Sequence, residues 1–270
     1  GIHEVVNQNM SAAARMHGVE RGIDLRGITL LAFGGAGPVH ACGVAELLES
    51  TKVIFPVNAS VLSAFGTLVS PVRIDLARSK PMLLNNLDEG LRDSLLEELR
   101  IEGRRVLTAA GVSEDAVNFK YGIDARYVGQ GNEITVWVGE GESWIVDSDS
   151  ITLMFEEEYR RIYGLAIPDV GIEVVTWRLS ASADLLLMQP HKRVKGKTEE
   201  AISDGKRSVI FNRGEKPVET SVYKRKLLKP GMIFNGPAIV EERETTSVIR
   251  PGWNVEVGDN GSLVAVKDSK

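Results

Sequence analysis

The feature that most constrains this chain is an abrupt change of backbone character after Phe33. The run Ile28–Phe33 is almost wholly apolar and ends in Gly34-Gly35-Ala36-Gly37-Pro38. Such a run predicts a strand buried on both faces. Glycines directly after it give the backbone conformations closed to other residues. Pro38 suits a first helical turn, where its missing N–H costs nothing. Val39–Leu48 then reads as a helix and Lys52–Pro56 as a short strand. Strand, glycine turn, helix, strand is an α/β unit of the parallel-sheet kind. Upstream, Ile2–His17 reads as a helix with Val5, Val6, Met10, Ala13 and Ala14 among its apolar positions, stopped near Gly18.

Further along, Val61–Leu68 predicts a short helix, and Leu87–Ala110 a long amphipathic one with Leu91, Leu95, Leu99, Val106 and Leu107 on its stripe. Val117–Val128 and Glu133–Val138 read as a hairpin joined through Gly129-Gln130-Gly131-Asn132. Ile151–Tyr163 is a second amphipathic helix, and Gly171–Leu187 one or two strands. Together they predict two helices on an antiparallel sheet. After Met188 and a polar link, Pro190–Asp204, short strands alternate with turns such as Asn235-Gly236-Pro237 and Arg250-Pro251-Gly252. That spacing predicts a small β-sandwich or barrel. The pattern therefore divides the chain into an α/β segment, 1–80, an α+β domain, 81–190, and a β-rich domain, 191–270.

Composition excludes several classes. With 43% hydrophobic residues among 270, the chain can bury real cores. Its net charge of −5 is uneven: residues 1–80 carry +1, residues 81–190 carry −11 and residues 191–270 carry +5. So acidic a middle excludes nucleic acid as a partner. No apolar stretch reaches the roughly 18 residues that span a bilayer, so no membrane is expected. A single cysteine, Cys42, and the polar start of the chain fit a cytoplasmic setting. His3, His17, His40 and His191 have no metal-ligand spacing, and no metal site is expected.

Two clusters could carry chemistry. The turn Gly34–Pro38 offers close backbone approach and, at the following helix start, free amides with a partial positive charge. It matches neither the Walker A pattern nor a dinucleotide fingerprint. His40 could donate to a ligand there or simply pack locally, while Cys42 reads as a small buried thiol. The second cluster is Asp124, Arg126, Tyr127, Gln130 and Glu133, in which alternation puts Asp124 and Arg126 on one strand face. Arg126 could clamp a carboxylate bidentately, or it could pair with Asp124 in a surface or interdomain ion pair beside a plain hairpin turn. Glu156–Arg160 and Glu157–Arg161 read as solvated i, i+4 pairs. Glu241, Glu242 and Glu244 could bind a cation, but Arg243 and the turn-rich context favour an exposed loop, and Trp253 reads as a core or interdomain anchor.

Four segments in order carry a resemblance. They are Phe33-Gly34-Gly35-Ala36-Gly37-Pro38-Val39-His40-Ala41, Ser63-Ala64-Phe65-Gly66-Thr67-Leu68, Asp124–Glu133, and Gly236–Glu242 with Thr245-Thr246 and Pro251-Gly252-Trp253. Across nearly the whole chain the sequence resembles the hydantoinase A/5-oxoprolinase family. The resemblance implies an actin/sugar-kinase-like ATPase fold whose C-terminal lobe begins this chain, the first lobe lying upstream. It also implies ATP with Mg2+ or another divalent cation in the intact protein, none of it held by this piece alone. Gly34, Gly35, Ala36, Gly37 and Pro38 would line the adenosine. His40, Asp124, Arg126 and Gln130 are the candidate substrate-binding residues, and no catalytic residue is assigned. Implied partners are the upstream lobe and a hydantoinase B-type subunit or domain. The implied reaction is ATP-driven opening of a cyclic amide such as a hydantoin or 5-oxoproline, with a subunit of a ketone carboxylase as the alternative.

Overall fold

The computed structural model describes residues 1–141, 147–184 and 195–268. The chain divides into two compact units, Gly1–Leu68 with Met188–Lys270, and Val69–Leu187. Where the pattern reads three consecutive segments, the C-terminal strands therefore fold together with the N-terminal residues. The boundary falls at residue 69 rather than 80.

The first unit begins with helix α1 (Ile2–Glu20), strand β1 (Leu30–Leu31), helix α2 (Gly37–Leu47), strand β2 (Lys52–Phe55) and helix α3 (Leu62–Val69). The second unit holds β3 (Val72–Leu83), α4 (Glu89–Ala109), β4 (Asn118–Tyr127), β5 (Ile134–Glu140), α5 (Ser148–Tyr163) and β6 (Ile172–Ala183). The chain then returns to the first unit with β7 (Glu199–Glu200), β8 (Gly205–Val209), β9 (Val218–Lys224), β10 (Met232–Asn235), β11 (Ala238–Glu241), β12 (Thr246–Ile249), β13 (Trp253–Val257) and β14 (Leu263–Lys267).

Two sheets build the first unit. One runs β1-β2-β14-β13-β10-β7 and the other β12-β11-β9-β8. β1 and β2 are parallel, as the α/β pattern requires, and β14 joins β2 antiparallel through Phe55 opposite Leu263 and Val53 opposite Ala265. The β-rich segment is thus no separate sandwich or barrel. Its apolar positions meet those of α2 and β2 in one cluster that includes Ala41, Cys42, Phe55, Phe234, Val240, Trp253 and Leu263. The expectation of a strand buried on both faces at Ile28–Phe33 also fails. β1 is a two-residue edge strand bonded on one side only, and Leu31 and Phe33 remain about half exposed.

The second unit is the expected α+β layer. Its sheet, β3-β6-β4-β5, is antiparallel throughout. Phe119, Tyr121, Ile123, Ala125 and Tyr127 of β4 join Leu96, Leu99 and Leu107 of α4 and Ile151, Phe155 and Tyr159 of α5 in one core. The opposite sheet face carries Lys120, Gly122, Asp124 and Arg126, so the period-2 alternation holds. The buried stripe of α4 runs through Arg92, Leu96, Leu99, Gly103 and Leu107, rotated from the expected one. The rotation follows from Gly103, where an added Cβ would lie 3.0 Å from the Ala181 Cβ. Helix and sheet meet where the side chain is absent. On α5 the expected i, i+4 pairs are replaced by a single Glu158–Arg161 pair at i, i+3. The polar link, Pro190–Asp204, lies partly outside the described residues.

Candidate functional site

The turn after β1 is held open by its own backbone. Gly34 sits at φ +88°, a left-handed conformation that favours glycine. Its N–H donates to the Ala59 carbonyl at 2.8 Å. A Cβ added at Gly34 or Gly37 would meet nothing within 4 Å, and one at Gly35 only the Glu244 carbonyl oxygen at 4.0 Å. The glycines therefore border open space that side chains would fill. Ala36 caps α2, and Pro38 lies buried in the first turn of that helix. This is a backbone cradle at a helix start, suited to a ligand that needs amide donors and a flat approach.

Two features fix α2 beneath the turn. On the α1 side, Gly43 lets Asn7 press against the helix, and the buried Asn7 accepts from His40 Nδ1 at 2.8 Å. The Asn7 amide in turn faces His3 Nδ1 at 3.5 Å, and the His3 and His40 rings stack at 4.5 Å. Partial burial, with His3 as a second cause, lowers the His40 pKa and keeps its imidazole neutral near pH 7. His40 is thus occupied by a local network with α1. On the other side, Glu46 accepts from Trp253 Nε1 at 3.0 Å and pairs with Arg250 at 3.0 Å and Lys267 at 3.4 Å. A cleft of about 640 Å³ between α1, α2 and residues 209–213 is lined by His3, Asn7, Glu46, Phe211 and Arg250 among others. Cys42 is buried, and burial pushes its thiol up to about 12, which removes it as a nucleophile.

The second cluster lies on the open sheet face of the other unit. Asp124 and Arg126 share that face but do not pair with each other. Asp124 is buried and receives Arg178 Nε at 2.7 Å on both carboxylate oxygens, with the Thr135 hydroxyl at 2.7 Å. Arg126 sends Nε and Nη2 to Glu173 at 3.0 and 2.9 Å. The carboxylate that Arg126 clamps is therefore its own neighbour's. Both pairs join β4 to β6, and the partners were out of reach of any local reading because they lie 54 and 47 positions away. Gln130 is likewise structural: it donates to the Tyr159 hydroxyl at 2.7 Å and accepts from the Tyr127 N–H at 3.3 Å.

The β11–β12 turn departs from the exposed loop expected of Glu241–Glu244. Glu242 is half-buried, one of its oxygens has no hydrogen-bond partner, and desolvation raises its pKa despite Arg225 nearby. Next to it, the buried Thr245 donates its hydroxyl to the Gly35 carbonyl at 2.8 Å. Thr245 and Gly35 are 210 residues apart in sequence, and the fold brings them together. Among the described residues no group of three or more His, Cys, Asp or Glu side chains could hold a metal ion. No described helix is long and apolar enough to cross a membrane.

A glycine turn at a helix start, in an α/β unit that accompanies a helix-backed antiparallel sheet, defines a mixed helix–sheet protein. A model of the hydantoinase/oxoprolinase family matches residues 1–76, and a model of the hydantoinase/oxoprolinase C-terminal domain matches residues 87–268. The chain belongs to the hydantoinase/oxoprolinase family. It is 33% identical, over 97% of its length, to an uncharacterised protein of Methanocaldococcus jannaschii, of which it covers 37%. It is 30% identical to caprolactamase subunit alpha of Pseudomonas jessenii, across 95% of this chain and 38% of that one. The crystal structure of the ATP-dependent caprolactamase from that organism matches with a TM-score of 0.76 at 29% identity, over 100% of this chain and 40% of that one. Nucleotide-free acetone carboxylase shares the fold, with a TM-score of 0.79 at 24% identity over 99% and 39%. The chain thus spans about two fifths of the length of these relatives.

Proposed function

We propose that this chain is the C-terminal portion of an ATP-dependent enzyme that opens cyclic amides, and that Gly34–Pro38 forms the adenosine side of its nucleotide site. Family membership supports the class of reaction, and the open cradle at Gly34, Gly35 and Gly37 supports the site. The cradle fits the group: adenosine needs a flat approach and amide donors, and a Cβ at Gly34 or Gly37 would occupy that approach. On this reading residues 1–68, with the strands that complete their sheet, are the second lobe of an actin/sugar-kinase-like ATPase. ATP supplies a phosphoryl group that turns a poor amide-derived leaving group into a good one. This chain contributes by seating the nucleoside, through the backbone of Gly34–Gly37 and the packing of Pro38. The divalent cation has no His, Cys, Asp or Glu donor set among the described residues. The upstream lobe and a hydantoinase B-type subunit are the proposed partners. The chain alone is expected to turn over neither hydantoin nor 5-oxoproline.

The single observation that carries this reading is the open space over the three glycines. Its test is Gly35→Val in the full-length protein. The branched side chain should raise the KM for ATP about tenfold or more while the fold persists. Unchanged ATP affinity would refute the placement. The shared fold with acetone carboxylase favours a second reading, a subunit of an ATP-dependent ketone carboxylase. ATP consumption that depends on a cyclic amide, rather than on a ketone with bicarbonate, separates the two.

A further inference from the structure

A peptide unit is planar, so the carbonyl of one residue and the N–H of the next point in opposite directions. The Gly35 carbonyl is held by the Thr245 hydroxyl at 2.8 Å, and Thr245 is 7% exposed. The Ala36 N–H must then point away from the β11–β12 turn. Among the described residues no hydrogen bond takes that N–H. The turn is itself braced, because the Glu242 N–H donates to the Thr245 carbonyl at 3.0 Å. One residue earlier, the Gly34 N–H is fixed on the Ala59 carbonyl. Two anchors, 210 and 25 residues distant in sequence, thus hold a loop whose glycines would otherwise leave it loose.

We propose that Thr245 is a positioning residue of the glycine turn, whose hydroxyl fixes the direction in which the Ala36 N–H is offered to a nucleotide. The ligand in that statement rests on the function proposed above, whereas the bracing does not. A C-terminal motif thereby serves an N-terminal loop. The segment matched by one family model completes a loop that belongs to the segment matched by the other.

Thr245→Val removes the hydroxyl and keeps the shape, and Thr245→Ser restores the donor. In the chain itself, amide hydrogen exchange at Gly34 should quicken roughly fivefold in the valine variant and return toward the original rate in the serine variant. Exchange at Gly236, whose N–H is held by the Trp253 carbonyl at 2.7 Å, should stay unchanged and exclude a general loosening. Equal Gly34 rates in all three proteins, or equal acceleration at Gly236, would overturn the bracing. In the full-length protein, the valine variant should raise the KM for ATP about fivefold with kcat within about twofold, and serine should rescue it. Accelerated exchange with an unchanged KM would overturn the role in nucleotide positioning. A parent protein that uses no ATP at all would instead refute the nucleotide site, leaving the exchange result to stand by itself.

Discussion

Glu46 shows how much a single side chain can organise. Its carboxylate takes Trp253, Arg250 and Lys267, each more than 200 positions downstream, and so fastens the end of α2 to the edge of β12 and to β13 and β14. Removing it strands a buried indole N–H and a mostly buried guanidinium. Glu46→Ala should therefore cost about 2–3 kcal/mol in urea unfolding, with Trp253 fluorescence as the probe. Glu242 presents the opposite case. Burial raises its pKa, so the folded chain holds the proton more tightly than the unfolded one. Stability present at low pH is then lost as the pH rises through the carboxylate range. Glu242→Gln should stabilise the protein at about pH 8, by up to about 1 kcal/mol, with the difference vanishing near pH 4. Equal effects at both pH values would contradict the assignment. Neither residue was legible beforehand. A lone Glu in a helix and a Glu in an acidic turn look alike in sequence, and only distant partners give them different roles.

Elements were far easier to read than their neighbours. The expected helix Leu87–Ala110 is α4 within two residues, because Asp88 caps it by accepting the Leu91 N–H at 3.0 Å and Gly111 follows it. The hairpin of β4 and β5 was equally plain from alternation and its glycines. β1 differs from the expected doubly buried strand because an apolar run does not reveal how many strands will flank it. The stripe of α4 differs from the expected one because periodicity registers side chains, whereas Gly103, which has none, sits so near β6 that an added Cβ would lie 3.0 Å from the Ala181 Cβ. That approach yields a test. Gly103→Leu should overpack the interface and destabilise the second unit by about 1–3 kcal/mol in thermal or urea unfolding. Gly103→Ala should be nearly neutral, as helix propensity offsets the tight fit.

At the scale of the whole molecule, local pattern gives no hint that a C-terminal strand lies against one near residue 53. The first unit is discontinuous, and β13 and β14 stand between β2 and β10 in its larger sheet. Ending the chain at Gly252 should abolish cooperative folding of that unit, as read by circular dichroism and by protection of Val53 and Phe55 in hydrogen exchange. The second unit is continuous and has its own core. A fragment of residues 69–187 should fold alone with a sigmoidal urea transition. Failure of that fragment would show that its core depends on the rest of the chain.

The pairing of β14 with β2 also sets a timetable for synthesis. Val53 and Phe55 leave the ribosome roughly 200 residues before Ala265 and Leu263, their partners. At about 5–20 residues per second that interval is roughly 10–40 s. The unit in between can fold during the wait, while α2 and β2 keep an apolar face with nothing to cover it. In the cell, newborn copies of this chain should therefore depend on holding chaperones until the last strand arrives.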